Sequence, residues 1–460
     1  MRFLLTLFMN ILLVTSLFAQ VATTALTPKP GFEDRIRKAV DDIWLIDTHE
    51  HLYTEEERIE SGPHDVYYMF MPYARNLLSK SGMSDQDYQM IQNKDIPIQE
   101  RWKVISPYWK FVRSTGYGRA AILAANDIFG IPDINDNTYL ELSQKINESN
   151  KPGWFKHVLK DKARIEISIV DRRLNKEQLE KSKDFFLHVD RFQHFVWVLS
   201  GADIRKVANR WGIEKVRTLD DYLKGLNNAF SHSIDLGMVG VKCALAYERI
   251  LHYEDVPREE AEQVFNKLIS SDSPEKDMPF EEVKPLQDYM MHRVLDLTRD
   301  HNYPFQIHTG INSTRNPLRN SSPAHLHNLF LEYPDVKFCI FHGSYPYGGE
   351  LAALANCFQN VYIDMTWLYV ISPSYAKRYL HEWIETVPVN KIMAFGGDYR
   401  YVELAYAHAK MAREIVSDVL IEKVVDRYFT EKEAIYIAKR ILRENAIEVL
   451  NLENRLAAGK

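Results

Sequence analysis

The chain has 460 residues, of which 46% are hydrophobic and 26% are charged, a composition typical of a globular protein with a large buried core. Its formal net charge is −6, which argues against a nucleic-acid partner and against binding to an anionic membrane surface. The three cysteines, Cys243, Cys339 and Cys357, lack the paired spacing of a zinc knuckle or a redox motif. We therefore expect all three to be small buried hydrophobic residues.

The N-terminal segment has the pattern of a secretory signal. Arg2 precedes an apolar run from Phe3 to Ala19, and small or polar residues follow it. The pattern predicts a signal peptide over residues 1–20, cleaved near Ala19 or Gln20, and hence a periplasmic or extracellular protein. An uncleaved anchor helix is the alternative, since the run is at the short limit for spanning a bilayer.

Residues 25–460 are predicted to form one domain, with a first helix over Glu33–Asp42 and a short buried strand over Ile43–Asp47. Residues from about 55 to 160 show no strong strand signal. They have helical periodicity interrupted by glycine and proline, together with many aromatic residues. We therefore predict a helical insertion after the first strand.

Seven further short apolar runs predict buried strands, separated by helical segments such as Leu286–Asp300 and Ala324–Tyr333. The runs are Arg164–Val170, Phe195–Leu199, Met238–Ala246, Pro304–Ile307, Val336–Phe341, Val361–Met365 and Ile392–Phe395. Eight strands alternating with helices predict an α/β fold, a (β/α)8 TIM-type barrel, followed by C-terminal helices such as Glu431–Leu450. An open doubly wound sheet is the alternative, but no glycine-rich dinucleotide or P-loop motif supports it.

Histidine, lysine and aspartate side chains lie in or directly after five of the predicted strands. The candidates are His49, His51, Lys242, His308, His342 and Asp398. Because the C-terminal ends of barrel strands surround one site, we expect these residues to meet there. Imidazole and carboxylate ligands suit Zn²⁺ or a similar divalent metal. A single histidine at a strand end is more often a structural residue, so the prediction depends on the joint placement of all six.

Lys242 has two interpretations. A lysine in the middle of an apolar strand is costly to bury unless it is paired or modified. If CO₂ adds to its amine, the resulting carbamate can bridge two metals. An ion-paired core lysine is the alternative.

The sequence also contains an internal control for the His-x-His spacing. His325 and His327 repeat the spacing of His49 and His51, but they lie in a segment with a helical pattern. Residues two apart on a helix point in different directions, whereas residues two apart on a strand share a face. Only the first pair is therefore predicted to bind a metal.

The order of these motifs resembles the amidohydrolase superfamily. Three segments, Gly240–Tyr247, Phe341–Pro346 and Phe395–Asp398, are similar to the branch of predicted TIM-barrel metal-dependent hydrolases. That branch includes the barrel fused to glutamine synthetase in fungi and nodulin-like plant proteins. The resemblance covers most of residues 43–416 and does not fix a substrate.

The resemblance implies a site with one or two divalent metals, most simply zinc. The implied ligands are His49, His51 and Asp398 for a first metal, His308 and His342 for a second, and carbamylated Lys242 as the bridge. Some relatives bind a single metal. The resemblance further implies catalytic roles for Asp398, which would move a proton, and for Lys242.

Four residues that follow predicted strand ends are candidate substrate-binding residues: Arg249, Arg315, Tyr345 and Arg400. Arginine pairs well with a carboxylate through two parallel hydrogen bonds, although surface salt bridges would explain the same residues. We therefore expect a small-molecule substrate, and the arginines favour one that bears a carboxylate. A homo-oligomer is left open.

Together, the motifs predict hydrolysis of an amide, ester or lactone-type bond by a metal-activated water. Three alternatives stay open. The first is a sugar-acid isomerase similar to uronate isomerase, and the second is a decarboxylase with a single metal. The third is a non-enzymatic binding barrel with a structural metal.

Overall fold

The computed structural model describes residues 28–270, 275–312 and 316–457. The predicted signal peptide lies outside the described residues. Among the helices in those three ranges, none combines the length and the apolar character needed to cross a membrane.

Eight short parallel strands form the centre of the molecule. They are Leu45–Glu50 (β1), Ile165–Val170 (β2), Phe186–His188 (β3), Val241–Cys243 (β4), Phe305–Ile307 (β5), Phe338–Ile340 (β6), Val361–Asp364 (β7) and Ile392–Met393 (β8). The order is β1-β2-β3 in one sheet and β4-β5-β6-β7-β8 in the other. Nearly every strand residue is buried, as expected where helices cover a parallel sheet.

Backbone hydrogen bonds join the two sheets along both edges. Between β3 and β4, the Val239 amide donates to the His188 carbonyl (2.9 Å), and the Lys242 amide donates to the Asp190 carbonyl (2.9 Å). After β8, the Asp398 amide donates to the His49 carbonyl of β1 (2.9 Å). The predicted α/β TIM-type barrel is confirmed.

The third strand was predicted in the wrong place. β3 is Phe186–His188, whereas Gln193–Val196, at the start of the predicted strand Phe195–Leu199, is a short helix. The predicted run is apolar because it is buried: Phe195 is fully buried, and the Val198 carbonyl accepts a hydrogen bond from Gln287 (3.0 Å). A short apolar run cannot be assigned to strand or buried helix by periodicity alone.

Helices connect the strands and cover the barrel. Before β2 they are Phe32–Asp41, Glu55–Glu60, Tyr73–Lys80, Asp85–Gln92, Ile98–Val112, Gly116–Phe129 and Tyr139–Glu148, with a π-helix over Lys156–Lys162. Between β2 and β8 they are Lys176–Ser182, Gln193–Val196, Gly201–Arg210, Leu219–Asp235, Arg258–Ile269, Phe280–Asp300, His327–Glu332, Gly348–Cys357, Leu368–Ile371 and Pro373–Thr386. After β8 they are Val402–Val425, Glu431–Lys439, Asn445–Val449 and Glu453–Ala457.

Two smaller expectations have different outcomes. Cys243 and Cys339 are buried as predicted, but Cys357 is exposed because it ends a surface helix, so its predicted burial is wrong. The control pair His325 and His327 lies on helical turns, as its pattern predicts.

A buried charge cluster fixes the helices between β1 and β2 to the helix that follows β8. Arg58 Nη2 donates to Glu403 Oε1 (2.7 Å), and both side chains are almost completely buried. Trp154 Nε1 donates to the same oxygen (2.7 Å), and the Tyr68 hydroxyl donates to Glu403 Oε2 (3.1 Å). A buried ion pair that is satisfied in this way becomes costly when one partner is removed.

We expect Glu403→Gln to lower the free energy of unfolding by about 3 kcal/mol, because it leaves the Arg58 guanidinium buried without a counter-charge. Glu414→Gln, on the exposed face of the same helix, is the matched control and should change stability by less than about 0.5 kcal/mol. Urea denaturation of the three proteins measures the difference. Equal stability of the two variants would contradict a structural role for the cluster.

Candidate active site

The ends of β1, β2 and β8 bring two histidines and two aspartates together. Asp398 Oδ1 lies 3.5 Å from His49 Nε2 and 3.2 Å from His51 Nε2. Asp171 Oδ2 lies 4.0 Å from His49 Nε2, and one ligand atom from each of His49, His51 and Asp171 lies within 4.8 Å of the others. We call these four residues the His/Asp cluster.

Backbone geometry positions Asp398 in this cluster. The residue adopts a left-handed conformation (φ 60°), and its carbonyl accepts a hydrogen bond from the Tyr73 hydroxyl (2.6 Å). The preceding Gly397 leaves room for Glu50, since a Cβ there would lie 1.7 Å from Glu50 Oε1. Glu50 Oε2 in turn accepts from the Tyr399 amide (2.6 Å). The glycine before Asp398 is therefore required by close packing against β1.

Asp171 was missed in the sequence analysis, although a signal for it was present. It directly follows the predicted strand Arg164–Val170, as the recognised candidates follow theirs. Arg191 Nε donates to both of its carboxylate oxygens (2.7 and 2.9 Å). Burial alone would raise the pKa of Asp171, but Arg191 outweighs burial and lowers the pKa, so the carboxylate is ionised.

His308 and His342 form a second group, in which two ring nitrogens face each other. His342 Nε2 and His308 Nδ1 are 2.8 Å apart. The outer nitrogens contact backbone carbonyls, His342 Nδ1 that of Thr366 (3.0 Å) and His308 Nε2 that of Ile311 (2.9 Å). Each outer nitrogen therefore carries the ring hydrogen of a neutral imidazole, and both inner nitrogens present lone pairs. Such a pair needs a cation or a proton between the rings.

Lys242 lies on β4 with its amine buried. The Nζ atom has no hydrogen-bond partner among the described residues and stands 3.5 Å from the centre of the Phe341 ring. Burial lowers the pKa of Lys242 to about 7, so a large share of the amine is neutral near neutral pH. Within the described ranges Lys242 has no salt bridge, which argues against the alternative of an ion-paired core lysine.

The other ionisable groups have the charge states that a metal site requires. Burial lowers the pKa of His49 and of His308 well below the usual value, and that of His342 to about 4. Burial would raise the pKa of Asp398, but the hydrogen bond with His51 and nearby positive groups outweigh it and hold the pKa below the usual value. Neutral imidazoles and an ionised carboxylate are the ligand forms of these side chains.

The donor set therefore fits a divalent metal. Three of its features are unpaired in the described part of the protein: the facing lone pairs of His308 and His342, the buried Nδ1 of His49, and the buried amine of Lys242. Nitrogen and carboxylate ligands of this kind are those that Zn²⁺ prefers. His49, His51, Asp398 and Asp171 would supply one ligand group.

A cavity of about 710 Å³ opens on the His/Asp cluster. Its wall is strongly basic and also aromatic. The lining residues are His51, Tyr53, Asp171, Arg172, Arg173, Val189, Asp190, Arg191, Gln193, His194, Tyr247 and Arg400. The cavity is large enough for a small-molecule substrate.

The four candidate substrate-binding residues have different positions. Arg400 is exposed and lines the cavity, whereas half-buried Tyr345 packs against Tyr375 with ring centres 4.7 Å apart. Arg249 is a correction: its guanidinium is buried, with Nη1 donating to Gln287 (2.9 Å) and Nη2 ion-paired to Asp288 (2.5 Å). Those contacts occupy the two guanidinium nitrogens that would otherwise bind a substrate carboxylate. Arg315 lies outside the described residues.

Comparison with known proteins agrees with the resemblance to amidohydrolases. Residues 254–452 match the family model Amidohydro_2, described as amidohydrolase. The chain is 27% identical over 228 residues to the protein fluG of Emericella nidulans, covering 48% of this chain and 26% of that protein. It is 23% identical over 310 residues to the uronate isomerase of Caldanaerobacter subterraneus subsp. tengcongensis, covering 62% of this chain and 56% of that protein. The chain thus spans about a quarter of the length of the fluG protein and about half of the length of the uronate isomerase.

Solved structures show the same fold. The uronate isomerase of Thermotoga maritima is 18% identical, with a TM-score of 0.76, and the match covers 91% of this chain and 97% of that one. A putative metal-dependent hydrolase from Lactobacillus casei is also 18% identical, with a TM-score of 0.63 and coverage of 92% and 98%. At this level of identity the likeness concerns the fold alone. Residues 254–452 thus match an amidohydrolase family model, and the barrel resembles those of isomerases as well as that of a hydrolase.

We expect His49→Ala/His51→Ala to lose at least half of the zinc that the unmodified chain binds, because two of the four donors of the His/Asp cluster are removed. The matched control is His325→Ala/His327→Ala, which deletes the same spacing on a helical segment and should bind zinc as the unmodified chain does. Metal content per folded chain, measured by mass spectrometry after gel filtration, tests this. Equal zinc in both double variants would contradict the site.

We expect Lys242→Met to stabilise the metal-free, CO₂-depleted protein at pH 7 on the order of 3 kcal/mol. The pKa of Lys242 lies near 7 in the folded chain and near 10.5 when exposed. Between pH 7 and pH 10.5 the unfolded chain therefore binds more protons than the folded chain, so the free energy of unfolding rises with pH in that range. Below pH 7 the full cost of burying the charged amine applies.

Denaturation at pH 6 and pH 9 measures this effect, and the variant should lack the rise that the unmodified chain shows. Lys423→Met is the control, because that buried amine is ion-paired to Glu385 and its removal should reduce stability. Parallel pH curves for the unmodified chain and Lys242→Met would contradict the buried neutral amine.

Proposed function

We propose that this chain, with its amidohydrolase-family domain, is a metal-dependent hydrolase that cleaves an amide, ester or lactone-type bond of a small carboxylate-bearing molecule. The observation that carries the proposal is the convergence of unpaired ligand atoms at the C-terminal ends of the strands. His49, His51 and Asp171 lie close enough to share one ion, and the Lys242 amine and the His49 ring both lie against Phe341, beside a basic cavity.

The proposed metal ligands are the six residues predicted from the sequence, His49, His51, Lys242, His308, His342 and Asp398, together with Asp171. When bound, a divalent metal lowers the pKa of a water molecule and polarises a carbonyl group. Hydrogen bonds hold the ligands in place from outside. The Asp171 carbonyl contacts His51 Nδ1 (3.2 Å), and the Thr366 carbonyl contacts His342 Nδ1 (3.0 Å).

Asp398 is the proposed proton carrier. Its carboxylate is ionised and buried, with Oδ1 beside both imidazoles of β1. In this role it takes a proton from the attacking water and delivers it to the leaving nitrogen or oxygen. The Tyr73 hydroxyl donates to its carbonyl, and its amide donates to the His49 carbonyl, so its backbone is held beside β1.

Carbamylation of Lys242 is part of the proposal. The neutral amine attacks CO₂ and forms an N–C bond, the nitrogen loses one proton to solvent, and the product is a carbamate anion. The lowered pKa of Lys242 supplies the neutral amine, and no hydrogen bond among the described residues competes for its nitrogen. The anion would offset the positive charge of two metals.

Export of the protein is also proposed, and it is supported by the N-terminal sequence pattern alone. A basic residue, an apolar run and small residues follow one another over residues 2–24.

A sugar-acid isomerase is the second candidate function. Two observations favour it: the similarity to a uronate isomerase over 62% of this chain, and the arginines of the cavity, which suit a sugar carboxylate. Against it, Lys242 on β4, in the carbamylated form proposed above, and His342 fit the hydrolase better.

We expect the zinc-loaded full chain to hydrolyse at least one member of a panel of dipeptides, esters and lactones with acidic groups. Chelation should abolish turnover and added zinc should restore it. Asp398→Asn should lower kcat by about 10²–10⁴-fold, because the carboxylate no longer takes a proton. Asp426→Asn, an exposed position, is the control.

The same panel includes uronates, with ketose formation as the readout. Isomerisation of a uronate without any hydrolysis would overturn the hydrolase proposal in favour of the second candidate. A ¹³C carbamate signal that is present in the unmodified chain and absent from Lys242→Met would support the modified lysine.

A further inference from the structure

A second cavity adjoins the one on the His/Asp cluster. Its volume is about 480 Å³, and it shares four lining residues with the first cavity: Arg173, Asp190, Arg191 and His194. A molecule that places its reacting bond at the cluster therefore has space to extend into this second cavity, which we call the side pocket.

The side pocket contains two arginines that form no salt bridge among the described residues. Arg173 and Arg210 line it, and neither has an ion pair with a carboxylate in the described ranges. Both guanidinium groups line this one pocket together with His194. An anion bound between two positive charges offsets their mutual repulsion.

His194 cannot supply the missing acceptor for Arg173. Its Nε2 accepts a hydrogen bond from Trp211 Nε1 (3.2 Å), so the ring hydrogen of the neutral imidazole is on Nδ1. Nδ1 is the atom that faces Arg173 Nη2 at 3.4 Å, which places two donors against each other. Burial and then Arg173 and Arg210 lower the pKa of His194 to about 3, so the ring stays neutral.

The remaining wall gives the pocket a mixed character. Asp190 is the one acidic lining residue, against the positive side chains Arg173, Lys176 and Arg210 and the paired Arg191. Trp211 and Leu236 contribute apolar surface. The balance of charge is positive, and the fork of a guanidinium matches the oxygens of a carboxylate or a phosphate.

We infer that the side pocket binds an oxyanionic group, a carboxylate or a phosphate, at Arg173 and Arg210. This inference deepens the proposed function and rests on it in one respect: the oxyanion belongs to the part of the substrate remote from the reacting bond. The substrate is then an elongated molecule whose reacting bond lies in the first cavity and whose anionic end lies in the side pocket.

Anion binding by the full chain tests the inference without any need for turnover. The probes are inorganic phosphate and succinate, titrated separately in a calorimeter. We expect Arg173→Met/Arg210→Met to bind at least one probe tenfold or more weakly than the unmodified chain. The probe that shows the larger loss identifies the group as phosphate or carboxylate. Both arginines are exposed, so the fold should survive, and thermal denaturation checks this.

The matched control is Arg119→Met/Arg217→Met, which removes two exposed arginines that line neither cavity. It should bind both probes within twofold of the unmodified chain. The inference is overturned if the unmodified chain binds neither probe, if the first double variant changes less than twofold for both, or if the control loses affinity equally.

Failure here and failure of the proposed function are distinguishable. Zinc content and hydrolysis report on the His/Asp cluster, whereas probe affinity reports on the side pocket. Hydrolysis with unchanged probe affinity in the arginine variant would overturn only the oxyanion site. If the arginine variant loses probe affinity but the unmodified chain hydrolyses nothing, the oxyanion site stands, and only its assignment to a hydrolase substrate is overturned.

Discussion

Polar atoms buried inside a barrel need partners, and this barrel leaves several of them unpaired at one end. His49 Nδ1, Lys242 Nζ and Glu50 Oε1 have no hydrogen-bond partner among the described residues, and two histidine lone pairs face each other. An unsatisfied buried polar group costs free energy, and here several are concentrated in one place. The large apolar core around the strands offsets that cost. A bound cation and a modified lysine would remove most of it.

Backbone strain is concentrated at the same end. His342, Ser344, Trp367 and Asp398 all have positive φ, between 52° and 65°, and all four follow strands β6, β7 or β8. Such conformations are costly for residues other than glycine and persist where the surroundings hold them. Packing supplies the restraint: the Trp367 ring lies 4.6 Å from that of Tyr73. Neighbouring elements thus hold these four residues in their left-handed conformations.

The helices between β1 and β2 connect stability with chemistry. Arg58 and Glu403 fix these helices to the barrel, and Tyr73, from the same region, holds the Asp398 carbonyl. Loosening the charge cluster would therefore also loosen the residue proposed to carry the proton. Deletion of the helices between β1 and β2 would therefore also remove the contact that positions Asp398.

The sequence by itself determined the parts that depend on local pattern. Short apolar runs with a polar residue at the end identified seven strands and the ligand candidates, because each strand contributes its C-terminal residue to the same mouth. Tertiary structure alone decided the rest. It placed β3 at Phe186–His188, because burial makes strand and helix equally apolar, and it separated buried, paired Arg249 from Arg400 at the cavity. It also revealed the facing lone pairs of His308 and His342 and the shared position of Arg173 and Arg210 in the side pocket, since distances between residues far apart in the chain are fixed only by folding.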